Sequence, residues 1–251
     1  MAELQSLATS FEEDAPQIGT TLKSCSPAIA EALGFTPLEF LFVDRQHGFP
    51  VSERLEHVVR AADLHGLPVV VRVPKDDLSM ITYFLDIGVS GVMLPQIEDP
   101  EILREASEHV RYHDGRSIAT TSRAAGFGKI DRDQYVEHVN EELALIPQIE
   151  TEAGVEVVDE VARLEASTAV AIGPGDLAKS MGVTSGGVEV KTAVDDIFDT
   201  VEANGCRAGT FVGDESGIDR YADRAAFVIC NSDIGLLMSQ YDDLLADNTD
   251  T

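Results

Sequence analysis

Basic side chains are scarce in this chain: 18 Lys and Arg stand against 45 Asp and Glu in 251 residues, a formal net charge of −27. Polyanions are held by clustered cations, so this shortage argues against nucleic acid as a partner and disfavours an anionic membrane surface. The cations present are 13 Arg and only 5 Lys. That balance predicts a protein adapted to molar salt, where a screening length of a few ångström tolerates the self-repulsion. Cysteine is also rare. Cys25, Cys206 and Cys230 are odd in number and far apart, which fits free thiols better than a disulfide framework or a zinc site. No apolar run reaches the roughly 18 residues needed to span a bilayer. The opening MAELQSLATSFEED has neither the basic nor the apolar region of a secretory signal. The expected location is the cytoplasm.

Apolar residues make up 44% of the chain, enough for a sizeable core despite the charge. They gather in short β-branched runs at 39–43, 68–73, 90–95, 143–149, 167–173, 206–212 and 225–231, with a weaker first run at 18–22. Between these runs, Leu55, Val58, Val59 and Ala62 follow helical spacing after a candidate cap at Ser52. Leu78, Ile81 and Leu85, then Ile102, Ala106 and Val110, mark further apolar faces. Continuous apolar strands alternating with amphipathic helices predict parallel strands covered on the outside, and eight of them predict a closed (β/α)8 barrel. A doubly wound open sheet would read similarly, but no Gly-rich dinucleotide fingerprint follows the first strand. Residues 1–251 are expected to form one barrel domain. Residues 182–192 read as a long exposed loop. The stretch 233–246 reads as a helix with Leu236, Leu237, Tyr241 and Leu244 or Leu245 on one face, placed to pack on the barrel or reach another subunit.

In such a barrel the reactive groups lie where strands end. The runs end in DRQHG (44–48), VRVP (71–74), MLPQIEDP (93–100), PQIET (147–151) and GPGDL (173–177). One mouth therefore collects Asp44, His47, Arg72, Gln148, Glu150 and Asp176. Glu150 and Asp176 could hold one hard divalent cation, since Mg²⁺ takes one or two protein carboxylates and completes its shell with water and substrate oxygens. They could equally be a solvated acid and a helix cap. Gly173, Pro174 and Gly175 open the backbone for a substrate carboxylate at a helix N-terminus. Arg72 could stabilise an enolate oxygen or form a structural ion pair with Asp44 or Glu150. His47 could shuttle protons with Asp86 as its orienting carboxylate, or be an ordinary loop histidine. His109 and His113 have i, i+4 spacing without a catalytic pattern around them, and His57, His65 and His138 read as solvated helix-face residues. The segment 115–128, with Ser122-Arg123-Ala124, reads as a mobile active-site loop or a long connection.

In this order the motifs resemble the HpcH/HpaI aldolase family, most closely in VRVP, PQIET and GPGDLAKSMG, over about residues 18–245. The resemblance implies a (β/α)8 TIM barrel of the phosphoenolpyruvate/pyruvate-binding type, assembled as a homo-oligomer, usually a hexamer of domain-swapped dimers. It implies a class II pyruvate aldolase acting on a 4-hydroxy-2-oxo acid, with pyruvate and an aldehyde as its small-molecule partners. By the same resemblance, Glu150 and Asp176 ligate Mg²⁺, Mn²⁺ or Co²⁺, and Arg72 contacts the pyruvyl oxygen. Gln148 lines the pocket, and His47 with Asp86 serves acid–base chemistry. The family usually has an acid before the loop histidine, where this chain has Gln46. The usual Arg-Gly step between strands four and five is here Arg116-Ser117. A malyl- or citryl-CoA-type lyase and a non-catalytic oxo-acid-binding barrel are the alternatives.

Overall fold

The computed structural model of the protein describes residues 6–47, 52–112 and 117–246. Strands and helices alternate as β1 (Gln17–Thr21), α1 (Pro27–Leu33), β2 (Phe40–Asp44), α2 (Ser52–Asp63), β3 (Val69–Arg72), α3 (Met80–Ile87), β4 (Gly91–Leu94) and α4 (Pro100–Val110). They continue through α5 (Arg132–Glu142), β5 (Ala144–Ile149), α6 (Glu152–Arg163), β6 (Val170–Ile172), α7 (Pro174–Ser180) and α8 (Val188–Ala203). The last elements are β7 (Ala208–Val212), α9 (Glu215–Tyr221), β8 (Phe227–Ser232) and α10 (Asp233–Ala246). Each strand pairs in parallel with the next, and β8 returns to β1, closing the barrel. All eight expected strands are present, so the open-sheet alternative falls.

Alternation along the strands separates two cores. Leu41, Val43, Val69, Val71, Val92, Leu94, Leu145, Val170, Ile172 and Val228 face the helices. Phe40, Phe42, Val70, Met93, Ala144, Ile146, Ala171, Phe227 and Ile229 face the barrel axis. Successive strand side chains point to opposite sides, so this sorting follows from the backbone alone. Glycine makes room where the inner rings are large: a Cβ at Gly19 would lie 2.4 Å from the Phe40 ring, and one at Gly209 2.5 Å from that of Phe227. The 3-10 segment Thr9–Glu12 stoppers the end of the barrel at the strand N-termini. Its Phe11 ring sits 4.9 Å from that of Phe227 and 6.3 Å from that of Phe40.

Helix faces follow the apolar spacing. Leu55, Val58, Val59 and Ala62 of α2 are fully buried, as are Ile81 and Leu85 of α3 and Ala106 and Val110 of α4. Helix α2 begins at Ser52 itself. Two readings are corrected. The loop expected over 182–192 spans only 181–187, because Val190, Val194, Ile197 and Val201 supply a buried stripe that extends α8 back to Val188. His65 and His138 are half-buried rather than solvated: the His65 ring lies 4.2 Å from Phe35, and burial lowers the His138 pKa against the pull of Glu142. His113 lies outside the described residues. Among the described residues no helix is long and apolar enough to cross a membrane.

Candidate active site

The inward ladder carries on past the apolar layers. Two residues beyond Phe42 comes Asp44, two beyond Val70 comes Arg72, and beyond Ile146 come Gln148 and Glu150. Gly173 stands two beyond Ala171. Strand periodicity therefore delivers one cation, two acids and an amide to the same end of the barrel axis. Register sets the first pair, since Asp44 lies beside Arg72 across β2 and β3. Arg72 grips Asp44 with two bonds, Nε to Oδ1 at 3.0 Å and Nη2 to Oδ2 at 2.6 Å. Its Nη1 donates to Gln148 Oε1 at 3.2 Å and lies 3.8 Å from Glu150 Oε2. The ion pair weighed for Arg72 is thus made with both acids. A bidentate pair also fixes the plane of the guanidinium.

Asp44 also accepts from the backbone N–H groups of Gln46 at 2.9 Å and His47 at 3.2 Å, shaping the turn that carries the exposed His47. Burial pushes the Asp44 pKa up, but the Arg72 bonds and these N–H groups outweigh it and hold the carboxyl below its ordinary value. Glu150 is only 1% exposed. Burial raises its pKa to about 7 in spite of Arg72, and the Asp176 carboxylate adds to the rise. The backbone N–H of Gln96 donates to Glu150 Oε1 at 3.1 Å. Immediately after Glu150, Thr151 caps α6 by accepting from Gly154 N at 3.0 Å, which fixes where the strand stops.

Asp176 stands exposed in the first turn of α7, whose cap position is Gly173, so the helix-cap alternative for Asp176 is not what forms. A Cβ on Gly173 would fall 2.7 Å from Glu150 Oε2 and 2.8 Å from Gln148 Nε2; one on Gly175 would meet nothing within 4 Å. Gly173 is needed for the site itself, whereas Gly175 borders open space.

Asp86 stands apart from this cluster. It lies in the last turn of α3, which runs back toward the N-terminal ends of the strands. Within one chain the expected His47–Asp86 pairing therefore spans opposite ends of the barrel, and Asp44 is the carboxylate that orders the His47 turn. Arg123 reaches the Ile87 carbonyl at 2.9 Å and pairs with Asp63, tying its loop to the ends of α2 and α3. Arg116 and Gly48 lie outside the described residues.

The donor set suits a hard cation. Both acids offer oxygen only, one is buried with its charge poorly offset, and the other is close enough to raise its pKa. Among the described residues no group of three or more His, Cys, Asp or Glu could hold a metal. Two carboxylates with the remaining positions left to water and substrate is the arrangement a Mg²⁺-like ion accepts. Sequence reading missed Gln96 and Lys75. Gln96 has a left-handed backbone with φ +50°, and its Oε1 accepts from Lys75 Nζ at 2.9 Å. Neither residue type advertises such a role; only the tertiary contact reveals it.

A family model described as HpcH/HpaI aldolase/citrate lyase matches residues 17–238. The chain belongs to the HpcH/HpaI aldolase/citrate lyase family. It is 30% identical over 234 residues to the 2-dehydro-3,6-dideoxy-6-sulfogluconate aldolase of Pseudomonas putida, covering 91% of each chain. It is 31% identical over 227 residues to the hydroxypyruvate/pyruvate aldolase of Paraburkholderia phytofirmans, covering 86% of each. Among solved structures, an HpcH/HpaI aldolase/citrate lyase family protein from Burkholderia cenocepacia J2315 superposes with a TM-score of 0.88. That match has 28% identity and covers 96% of this chain and 97% of that one. The expected barrel and the aldolase class are borne out.

Proposed function

We propose that the protein is a divalent-metal-dependent pyruvate aldolase, a carbon–carbon lyase that reversibly cleaves a 4-hydroxy-2-oxo acid to pyruvate and an aldehyde. The observation that carries this reading is the buried Glu150, set between Arg72 and the Asp176 carboxylate at the strand C-termini. Glu150 and Asp176 would hold the ion, Mg²⁺, Mn²⁺ or Co²⁺, which when bound supplies Lewis-acid polarisation of the 2-oxo acid. Arg72, its plane fixed by Asp44 and Gln148, presents positive charge to the 2-oxo oxygen and holds the enolate that develops there. The Gln148 Nε2 and the backbone at Gly173, Pro174 and Gly175 orient the pyruvyl carboxylate. His47, directly or through water, takes the 4-hydroxyl proton. The C3–C4 bond then breaks, its electron pair passes into the enolate, and the aldehyde departs. Return of a proton to C3 completes pyruvate, and reversal gives aldol addition. Asp86 stays outside this scheme unless a second subunit brings it to the His47 turn.

The C-terminal helix supports a homo-oligomer. Leu236, Leu237, Met238, Tyr241, Leu244 and Leu245 of α10 are all exposed and no residue of α10 is buried, an apolar face too large to leave in water. A swap of α10 between subunits, and the hexamer implied by the family resemblance, would cover it. Light scattering that gives the 27.0 kDa monomer would overturn the oligomer.

The deciding experiment is pyruvate release from a panel of 4-hydroxy-2-oxo acids, with chelator and with added Mg²⁺, Mn²⁺ or Co²⁺. Expected are loss of turnover on chelation, recovery with a divalent ion, and loss in Glu150→Gln. Activity that survives both chelation and Glu150→Gln would refute the metal-dependent mechanism, and near-normal turnover in His47→Ala would remove that histidine.

A further inference from the structure

The loop that follows β1 is held by an acid from the far end of the chain. Past Thr21 the chain reads Leu22-Lys23-Ser24-Cys25-Ser26, with no acid of its own. The loop after β2, by contrast, is shaped by its own Asp44, which accepts from Gln46 and His47. For β1 the acceptor is Asp233, the first residue of α10. Its Oδ1 accepts from Lys23 N at 2.7 Å, and its Oδ2 from Ser24 N at 3.1 Å. Loop N–H groups away from strand partners need an acceptor, and a carboxylate makes a strong one. Asp233 is not spent on its own helix. That work falls to Ser232, whose Oγ accepts from Gly235 N at 3.0 Å.

The root of α10 is itself pinned. Strand β8 passes into α10 with no residue between them. Asn231 near the end of that strand is left-handed, with φ +52°, a conformation few non-glycine residues adopt. Its Oδ1 accepts from Ser232 N at 2.7 Å, and its Nδ2 donates to Gly213 O at 3.2 Å in the loop after β7. Asp233 is thereby fixed from the β7 side and reaches across to the β1 side. The loop it holds stands against the strand that carries Asp44. Leu22 N donates at 2.8 Å to the carbonyl of Phe42, two residues before Asp44. Burial raises the Cys25 pKa, and the charges of Arg54, Asp233 and Arg45 all bear on that thiol, so three loops converge there. Cys25 is left-handed as well, with φ +55°, so the loop is held off its relaxed path.

We propose that Asp233 is a positioning residue for the pyruvate-binding mouth. Its carboxylate holds the β1–α1 loop as the wall next to the Asp44–Arg72 pair, and so sets how tightly pyruvate is bound. The reading rests on the function given above. It is tested on Asp233→Ala and Asp233→Asn. Hydrogen exchange over residues 22–26, read by mass spectrometry, should quicken in Asp233→Ala. Asp233→Asn keeps Oδ1 for the Lys23 N–H and should fall between that variant and wild type. Calorimetry in Mg²⁺ should show pyruvate bound about tenfold more weakly by Asp233→Ala, with most of the affinity restored in Asp233→Asn. In turnover the loss should appear in KM, with kcat held within about threefold. Unchanged exchange in Asp233→Ala overturns the proposal, as does faster exchange with unchanged pyruvate affinity or a loss confined to kcat. Should Asp233→Ala fail to fold, Asp233→Asn decides alone, because its Ser24 N–H has lost the Oδ2 acceptor and unchanged exchange there counts against the proposal. Wild type that binds pyruvate but cleaves no 4-hydroxy-2-oxo acid would remove the aldolase reading and leave Asp233 as the anchor of a pyruvate site.

Discussion

Glu150 is the residue at which fold and chemistry conflict most plainly. A carboxylate pKa raised to about 7 means that the folded protein binds the proton more tightly than the unfolded chain does. The stability cost is therefore fully present above about 7, shrinks as pH falls toward the ordinary value near 4.5, and is absent below it. By linkage that cost is on the order of 3 kcal/mol. Glu150→Gln keeps an oxygen for the Gln96 N–H and removes the charge. In chelator at pH 8 it should melt several degrees above wild type, with the gap closing by about pH 5 and turnover abolished. Equal melting at both pH values would show that the buried charge is already compensated. Arg72→Lys should lose at least a hundredfold in kcat, because an ammonium cannot reproduce the two bonds to Asp44 that fix the guanidinium plane. Steady-state kinetics read this directly, and retention of more than a tenth of wild-type kcat would argue for simple charge balance.

At the scale of elements, the β6–α7 junction and the N-terminal stopper are the points of leverage. Gly173→Ala would set a methyl group 2.7 Å from Glu150 Oε2. The expected result is a folded protein with unchanged circular dichroism and divalent-ion affinity reduced by tenfold or more. Unchanged affinity would show that the Glu150 carboxylate can swing clear. Phe11→Ala empties the space between the Phe40 and Phe227 rings and should destabilise by about 3–5 kcal/mol in urea denaturation. The loss should appear in stability rather than kcat, since Phe11 stoppers the end of the barrel away from the catalytic mouth. The strands themselves were legible because each is a continuous apolar run bounded by turns. The start of α8 was not, because Gly186-Gly187 reads locally as loop while the Val190 and Val194 stripe that holds the helix acts only through packing.

Over the whole molecule, the excess of acid is spread across the surface, where individual arginines serve two acids each. Arg104 bridges Glu101 and Glu160, and Arg224 bridges Asp199 and Glu202. Exposed pairs of this kind contribute little, so self-repulsion remains. Raising KCl from 0.1 to about 2 M contracts the screening length from roughly 10 Å to below about 3 Å. The melting temperature should rise steadily over that range in a thermal-shift titration. A flat curve would contradict the expected salt adaptation.

The sequence by itself determined the eight strands, the helix faces and which residues end up at the mouth formed by the strand C-termini. Hydrophobic period and strand ends are local properties, and inward alternation carries Asp44, Arg72, Gln148 and Glu150 to the same rim without further instruction. It also carried the family, through motifs that lie at those same strand ends. Tertiary structure decided how those residues divide the work. Register put Asp44 rather than Asp86 against the turn of His47, and burial made Glu150 reluctant to ionise. A left-handed Gln96 turned its backbone N–H onto that acid. Pairing, burial and backbone strain all depend on neighbours far away in the chain, so no window of sequence contains them.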